Sequence, residues 1–269
     1  MSKYLKNIEN LFYVFLLFHL AVWTLVPTIT NENLPLDTIE AIAWGSNLDW
    51  GFNKHPPASA FFTEVFYQIF GAQDWSYYLL SQIFVVISFY FVFKLSNEIL
   101  RNLKLSFISV LLLEGIYFYN FTTPEFNVNV AQLPFWALSA YFTWKVLNQK
   151  EPAVFDLVLL GIFAAIGFLS KYLFLYLLLS IDLLFFYLLF VEKDRKFKFS
   201  YLISLEVFLL LLIPHLVWLV SNDYVTITYG LARTGTEEFE LFNHFKNPIS
   251  FILKQIGILI PFFILCFFL

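Results

Sequence analysis

Residues 154–191 read VFDLVLLGIFAAIGFLSKYLFLYLLLSIDLLFFYLLFV, a nearly continuous apolar run split by Lys171. The two parts, 154 to 170 and 172 to 191, each approach the roughly 20 residues that a helix needs to cross about 30 Å of hydrocarbon. A charge between them costs a few kcal/mol unless it lies at an interface or has a partner. The stretch therefore predicts two membrane-spanning helices that turn at Lys171. The same criterion gives further spans near 10 to 28, 76 to 93, 105 to 121, 129 to 145, 201 to 221 and 249 to 269. About eight helices result, because lipid admits only structures that satisfy their own backbone polar groups, and no barrel-like alternation is present. The expected fold class is all-α, a polytopic membrane helix bundle with a structured first outer loop, forming one domain over 1–269. Composition agrees: 60% hydrophobic and 13% charged residues, with a mean hydropathy of +0.74, against about 25% charged residues in a soluble domain.

The basic residues set the orientation, since Lys and Arg collect on the cytoplasmic side. With the N-terminus inside, 11 of the 16 basic residues fall in cytoplasmic segments: Lys3, Lys6, Lys94, Arg101, Lys104, Lys145, Lys150, Lys193, Arg195, Lys196 and Lys198. Lys54, Lys171, Arg233, Lys246 and Lys254 remain outside, together with most acidic residues. The first run follows Lys3 and Lys6 as a signal peptide would, but Pro27-Thr28-Ile29 offers no small-residue cleavage site, so it reads as a retained anchor. A net charge of -4 argues against a nucleic-acid partner, and the single Cys266 excludes an internal disulfide or a thiolate-rich zinc cluster. No HExxH zinc motif, phosphate-binding glycine loop, nucleophile elbow or dinucleotide fingerprint occurs. The chain stops at Leu269 inside an apolar run, which is expected either of a protein that ends in the bilayer or of the N-terminal portion of a longer one.

Three outer segments carry candidate chemistry. In the first, 29 to 75, Asp37, Glu40, Ala41 and Trp44 fall at helical spacing and Pro56-Pro57 reads as a stop. Asp37 and Glu40 then share a helix face, where such a pair can keep a general base ionised or grip a divalent cation; a solvated acidic face has the same pattern. Lys54-His55-Pro56-Pro57 sets a fixed cation and an imidazole before a rigid turn, suited to a lipid phosphate or simply to phospholipid headgroups. Glu125, after Thr123-Pro124, reads as a third carboxylate at the same rim or as a first-turn helix acid. Lys171, with Tyr172 beside it, either meets phosphate or snorkels. Arg233 belongs to a polar third segment from Asn222 to about Pro248. Glu114, Asp182, Glu206 and His215 fall within apolar runs, where the default is a site or an interhelical pair.

The stretch Leu34–Gly45 followed by Lys54-His55-Pro56-Pro57 resembles the first outer loop of bacterial family-39-type glycosyltransferases, relatives of the protein O-mannosyltransferases and of the aminoarabinose transferases that modify lipid A. Thr123-Pro124-Glu125 ahead of Phe135-Trp136-Ala137-Leu138, then Leu169-Ser170-Lys171-Tyr172, then Pro214–Trp218 with Asn222-Asp223 continue the likeness in order. The resemblance implies a GT-C fold in the cell inner membrane, its active-site loops on the periplasmic side, taking a polyprenyl-phosphate-linked sugar to a lipid, glycan or protein acceptor. It implies Asp37 as the base, Glu40 as its assistant or a cation holder, Lys54 and Lys171 as stabilisers of the departing phosphate and Glu125 as the second-loop acid; His55, Tyr172 and Arg233 complete the candidate substrate-binding set with Lys54, Glu125 and Lys171. Relatives often carry adjacent acids in the first loop, whereas two residues separate them here, and relatives continue into a C-terminal outer domain. Readings from other classes are a transporter or flippase for lipid-linked sugars, which predicts paired broken helices in two related halves, and a silent or truncated scaffold.

Overall fold

The computed structural model describes residues 3–192, 198–234 and 243–268. Within them the chain is an all-α bundle with the helices α1 (Lys3–Thr30), α2 (Leu36–Gly45), α3 (Ala58–Phe70), α4 (Asp74–Leu100), α5 (Leu103–Leu111), α6 (Val128–Asn148), α7 (Val154–Ser170), α8 (Leu175–Phe186), α9 (Leu202–Ser221), α10 (Val225–Thr234), α11 (Asn243–Ile258) and α12 (Ile260–Phe268). Among the described residues, five stretches are long and apolar enough to cross a bilayer: Asn7–Thr30, Asp74–Leu100, Tyr172–Val191, Phe199–Ser221 and His244–Phe268. The chain is a multi-pass membrane protein.

Three of the eight expected spans take other forms. Residues 154–170 are helical as expected but form a shorter apolar helix. Residues 129–145 lie in α6, whose 21 residues include Asn129, Gln132, Ser139 and Thr143. The run 105–121 is not one helix: α5 ends at Leu111, and two 3₁₀ turns, Leu112–Gly115 and Tyr117–Tyr119, follow. Here Glu114 is drawn to His19 on α1, and Asn120 Nδ2 donates to the Glu114 carbonyl at 2.8 Å, so side-chain bonds replace the helical ladder. Such irregular backbone persists at membrane depth only where protein covers it, and α12 provides part of that cover: a Cβ on Gly115 would lie 2.5 Å from the Phe262 Cα.

Packing in lipid relies on close contact rather than on the hydrophobic effect between helices. Phe84, Phe126, Phe135, Phe142, Leu157 and Phe174 interlock α4, α6 and α7, while Phe12, Phe89, Phe93 and Phe107 join α1, α4 and α5. Phe12 and Phe93 stack at 4.0 Å. Gly161 lets α7 approach α9, where a Cβ would sit 2.5 Å from the Ser204 carbonyl oxygen. At one end of the antiparallel α6–α7 pair, Lys145 donates to the buried Asp156 at 2.8 Å and Lys198 pairs with Glu151 at 2.8 Å. Lys193, Arg195, Lys196, Glu237 and Glu238 lie outside the described residues. Asp182 and Glu206 are exposed on the bundle's flank rather than paired in its interior.

Candidate active site

The opposite end of the bundle gathers the first loop, the segment before α6, the α7–α8 turn and the start of α10. The helix expected around Asp37 and Trp44 is present as α2, but Pro56-Pro57 does not stop it. It ends at Gly45, and Pro57 instead caps the start of α3, where a missing N–H costs nothing. Thr63 of α3 donates to the Ala41 carbonyl at 3.0 Å, and Gly45 brings α2 close to Ala60.

Pro35 supplies no side-chain cap to α2. The cap comes from elsewhere: the Asp37 N–H donates to Glu125 Oε1 at 3.1 Å, and the Thr38 hydroxyl donates to the Phe126 carbonyl at 3.1 Å. A carboxylate at a helix N-terminus is favoured by the dipole, so Glu125 holds the helix that carries the acidic pair. The Asp37 side chain itself is exposed at the rim. Glu40 is engaged: Lys54 Nζ donates to its Oε1 at 2.5 Å. This bond, first among the causes, raises the Lys54 pKa above its ordinary value. A cation shared between Asp37 and Glu40 would have to displace that ammonium.

Trp44 stacks on Phe52 at 5.1 Å and meets the His55 ring edge-on at 5.9 Å. Burial lowers the His55 pKa, the Lys171 charge lowers it further, and Glu40 and Asp37 oppose both. Lys171 is half-buried and donates to Asn129 Oδ1 on α6. Burial lowers its pKa, with Asp37 acting in the opposite sense. The charges of Asp37, Glu40, Lys54 and Lys171 thus all bear on His55, although Lys171 comes from a separate segment. Asp37, Glu40, Trp44, His55, Ser59 and Asn127 line one small cleft. Ser59, 1% exposed, has no hydrogen-bond partner for its hydroxyl among the described residues.

Tyr172 and Arg233 stand apart from this cleft. The Tyr172 hydroxyl bonds His215 Nε2 at 2.7 Å, and His215 Nδ1 donates to the Trp50 carbonyl at 2.5 Å. Thr226 donates to the Phe52 carbonyl at 2.5 Å, and Gly51 lies against the Trp218 ring with no room for a Cβ. These contacts clamp the first loop to α9 and α10. The turn between those helices is strained, with Asp223 and Tyr224 at φ 51° and 55°. Arg233 is exposed on α10, its guanidinium 5.9 Å from the Tyr229 ring centre. Asn129, Ser59, Thr226 and Trp218 were not singled out as site residues from sequence. Only Trp218, three residues after His215 near the end of an apolar run, carried a signal, since bulky polar-tipped side chains at a span's end mark the interface.

The model of the dolichyl-phosphate-mannose-protein mannosyltransferase family matches residues 54–218, well over half of the chain. The match takes in Lys54, His55, Glu125, Lys171, Tyr172 and His215 and begins after Asp37 and Glu40. No curated protein and no solved structure matches.

Proposed function

This chain belongs to the dolichyl-phosphate-mannose-protein mannosyltransferase family, and so is a membrane glycosyltransferase of the GT-C type; we propose that it moves a sugar from a polyprenyl-phosphate donor to an acceptor hydroxyl at the α2 cleft. That end of the bundle then faces the non-cytoplasmic side of the cell membrane. The observation that carries the reading is the convergence of Asp37, Glu40 and His55 on one cleft, with Lys54 bonded to Glu40 and Lys171 bonded to Asn129 beside the cleft residue Asn127.

Asp37, exposed at the cleft mouth, takes the proton of the acceptor hydroxyl. The acceptor oxygen attacks the anomeric carbon, the bond from that carbon to the phosphate oxygen breaks with inversion, and polyprenyl phosphate leaves. Glu40 and Lys54 form a neutral pair that shapes the wall beside Asp37. Lys171, bonded to the uncharged Asn129, presents an ammonium to the departing phosphate; in a half-buried site such a charge acts more strongly than in water. His55 is neutral near pH 7 because its pKa is lowered, and accepts or donates one hydrogen bond without adding charge. Glu125 acts through α2, fixing where Asp37 stands.

Transfer of radiolabelled sugar from a polyprenyl-phosphate donor in membranes, comparing the native chain with Asp37→Asn, tests this. The expected result is loss of transfer with normal membrane insertion, since Asn keeps the backbone bond to Glu125. Equal transfer by Asp37→Asn removes Asp37 as the base, and transfer with no dependence on Lys171 removes the phosphate role.

A further inference from the structure

Inside the α1–α4–α5 core lies a polar cluster that the proposed chemistry does not use. His19, 2% exposed, is ringed by Phe89 at 5.0 Å, Phe15 at 6.2 Å and Trp23 at 6.4 Å. Its Nδ1 lies 2.5 Å from Glu114 Oε1 and its Nε2 lies 3.2 Å from Gln82 Oε1. Gln82, fully buried, donates to Thr123 Oγ1 at 3.3 Å, and Ser81 donates to the Thr123 carbonyl. Asn120 donates to both the carbonyl and the carboxylate of Glu114, at 2.8 and 3.4 Å. Buried polar groups in apolar surroundings are costly when unpaired and strongly held when paired, so this network determines where residues 112–123 lie.

The residues that follow are those that assemble the cleft. Glu125 caps α2, the Phe126 carbonyl takes the Thr38 hydroxyl, Asn127 caps α6 through the N–H groups of Asn129 and Val130 at 2.9 and 3.2 Å, and Asn129 holds Lys171. We propose that His19 and Glu114 are positioning residues: their pairing inside the bundle fixes segment 112–129, and through it the placement of α2 with Asp37 and of the Lys171 side chain. What those held groups do rests on the transferase reading above, but the mechanical link does not.

A spectroscopic test separates the two. With the single cysteine replaced (Cys266→Ser), a spin label is attached at Ile39→Cys, on the exposed face of α2, and in a second protein at Val220→Cys on α9. In Glu114→Ala the α2 label gains a mobile spectral component while the α9 label keeps its line shape. In Glu114→Gln, which retains an oxygen for His19 Nδ1, the α2 label stays immobile. An unchanged α2 label in Glu114→Ala overturns the proposal, and so does equal loosening of both labels, which would mean that the pair merely stabilises the whole bundle. In transfer assays of the unlabelled chain, Glu114→Ala lowers kcat by about 10²-fold, the usual cost of a ~1 Å misplacement, with the donor KM little changed and Glu114→Gln restoring most of the rate. If the native chain transfers no sugar, the functional reading fails while the label result still decides this one.

Discussion

Gly51→Ala tests the clamp between the first loop and α9. An ideal Cβ at this position would overlap Cε3 and Cζ3 of Trp218 and lie 2.9 Å from its Cδ2. The half-buried indole is hindered from swinging aside, because its ring lies parallel to that of His215 at 6.2 Å and its Nε1 is buried. The loop must therefore lift, stretching the bonds from His215 to the Trp50 carbonyl and from Thr226 to the Phe52 carbonyl, both 2.5 Å. His215 and Thr226 are 0% and 2% exposed, so their freed polar atoms would find no water. Each buried group left unpaired costs about 1–3 kcal/mol and overpacking costs about as much again; partial relaxation leaves a net loss of about 2–4 kcal/mol. At about 2–4 °C per kcal/mol, the melting temperature in detergent, followed by tryptophan fluorescence, should fall by about 5–15 °C. Trp218→Leu makes room, so the double variant should melt above Gly51→Ala alone even though Trp218→Leu is itself destabilising. Wild-type stability in Gly51→Ala, or simple additivity of the two substitutions, would refute the clamp.

Three further outcomes follow from the cleft. Because burial and Lys171 hold the His55 pKa below its ordinary 6.5, the unfolded chain takes up that proton first; the contribution of His55 to stability is full above about pH 6.5 and is lost as the pH falls from there towards the folded value. Thermal melts from pH 7.5 to 5 should therefore show a shallower acid limb in His55→Gln, and an unchanged limb would count against it. Removing the Asp37 charge should push the already lowered Lys171 pKa further down, seen as an earlier-titrating dimethyl-lysine signal by NMR in Asp37→Asn; an upward shift would show that the two do not face each other. Ser59→Ala deletes a buried hydroxyl that has no partner among the described residues, so stability should hold within about 0.5 kcal/mol while the donor KM rises; a melt several degrees lower would mean that the hydroxyl has a structural bond.

The bundle was legible in sequence wherever a property of contiguous residues decides the outcome. Hydropathy placed the long spans, and helical spacing placed α2. The run 105–121 misled because its apolar character says nothing of Glu114, whose partner His19 lies 95 positions away and breaks the helix from outside. The role of Glu125 was hidden for the same reason: its bond to the Asp37 N–H spans 88 positions. Tyr172 was read with Lys171 because the two are adjacent, yet consecutive residues at a turn point in different directions, one to Asn129 and the other to His215.

Long-range partners also distinguish the two spaced acids. Helical geometry puts Asp37 and Glu40 on one face and treats them alike. Their neighbours do not. Lys54, fourteen positions beyond Glu40, reaches back and neutralises it, whereas Asp37 meets protein through its backbone N–H and leaves its carboxylate at the exposed mouth, in range of Lys171 but unbonded to it. A base must keep lone pairs available for an incoming hydroxyl proton, and a carboxylate already accepting a 2.5 Å bond from an ammonium has given up much of that capacity. The division of labour proposed for the two acids thus rests on the position of one lysine in the first loop, and Lys54→Met should make Glu40, not Asp37, the carboxylate whose environment changes most.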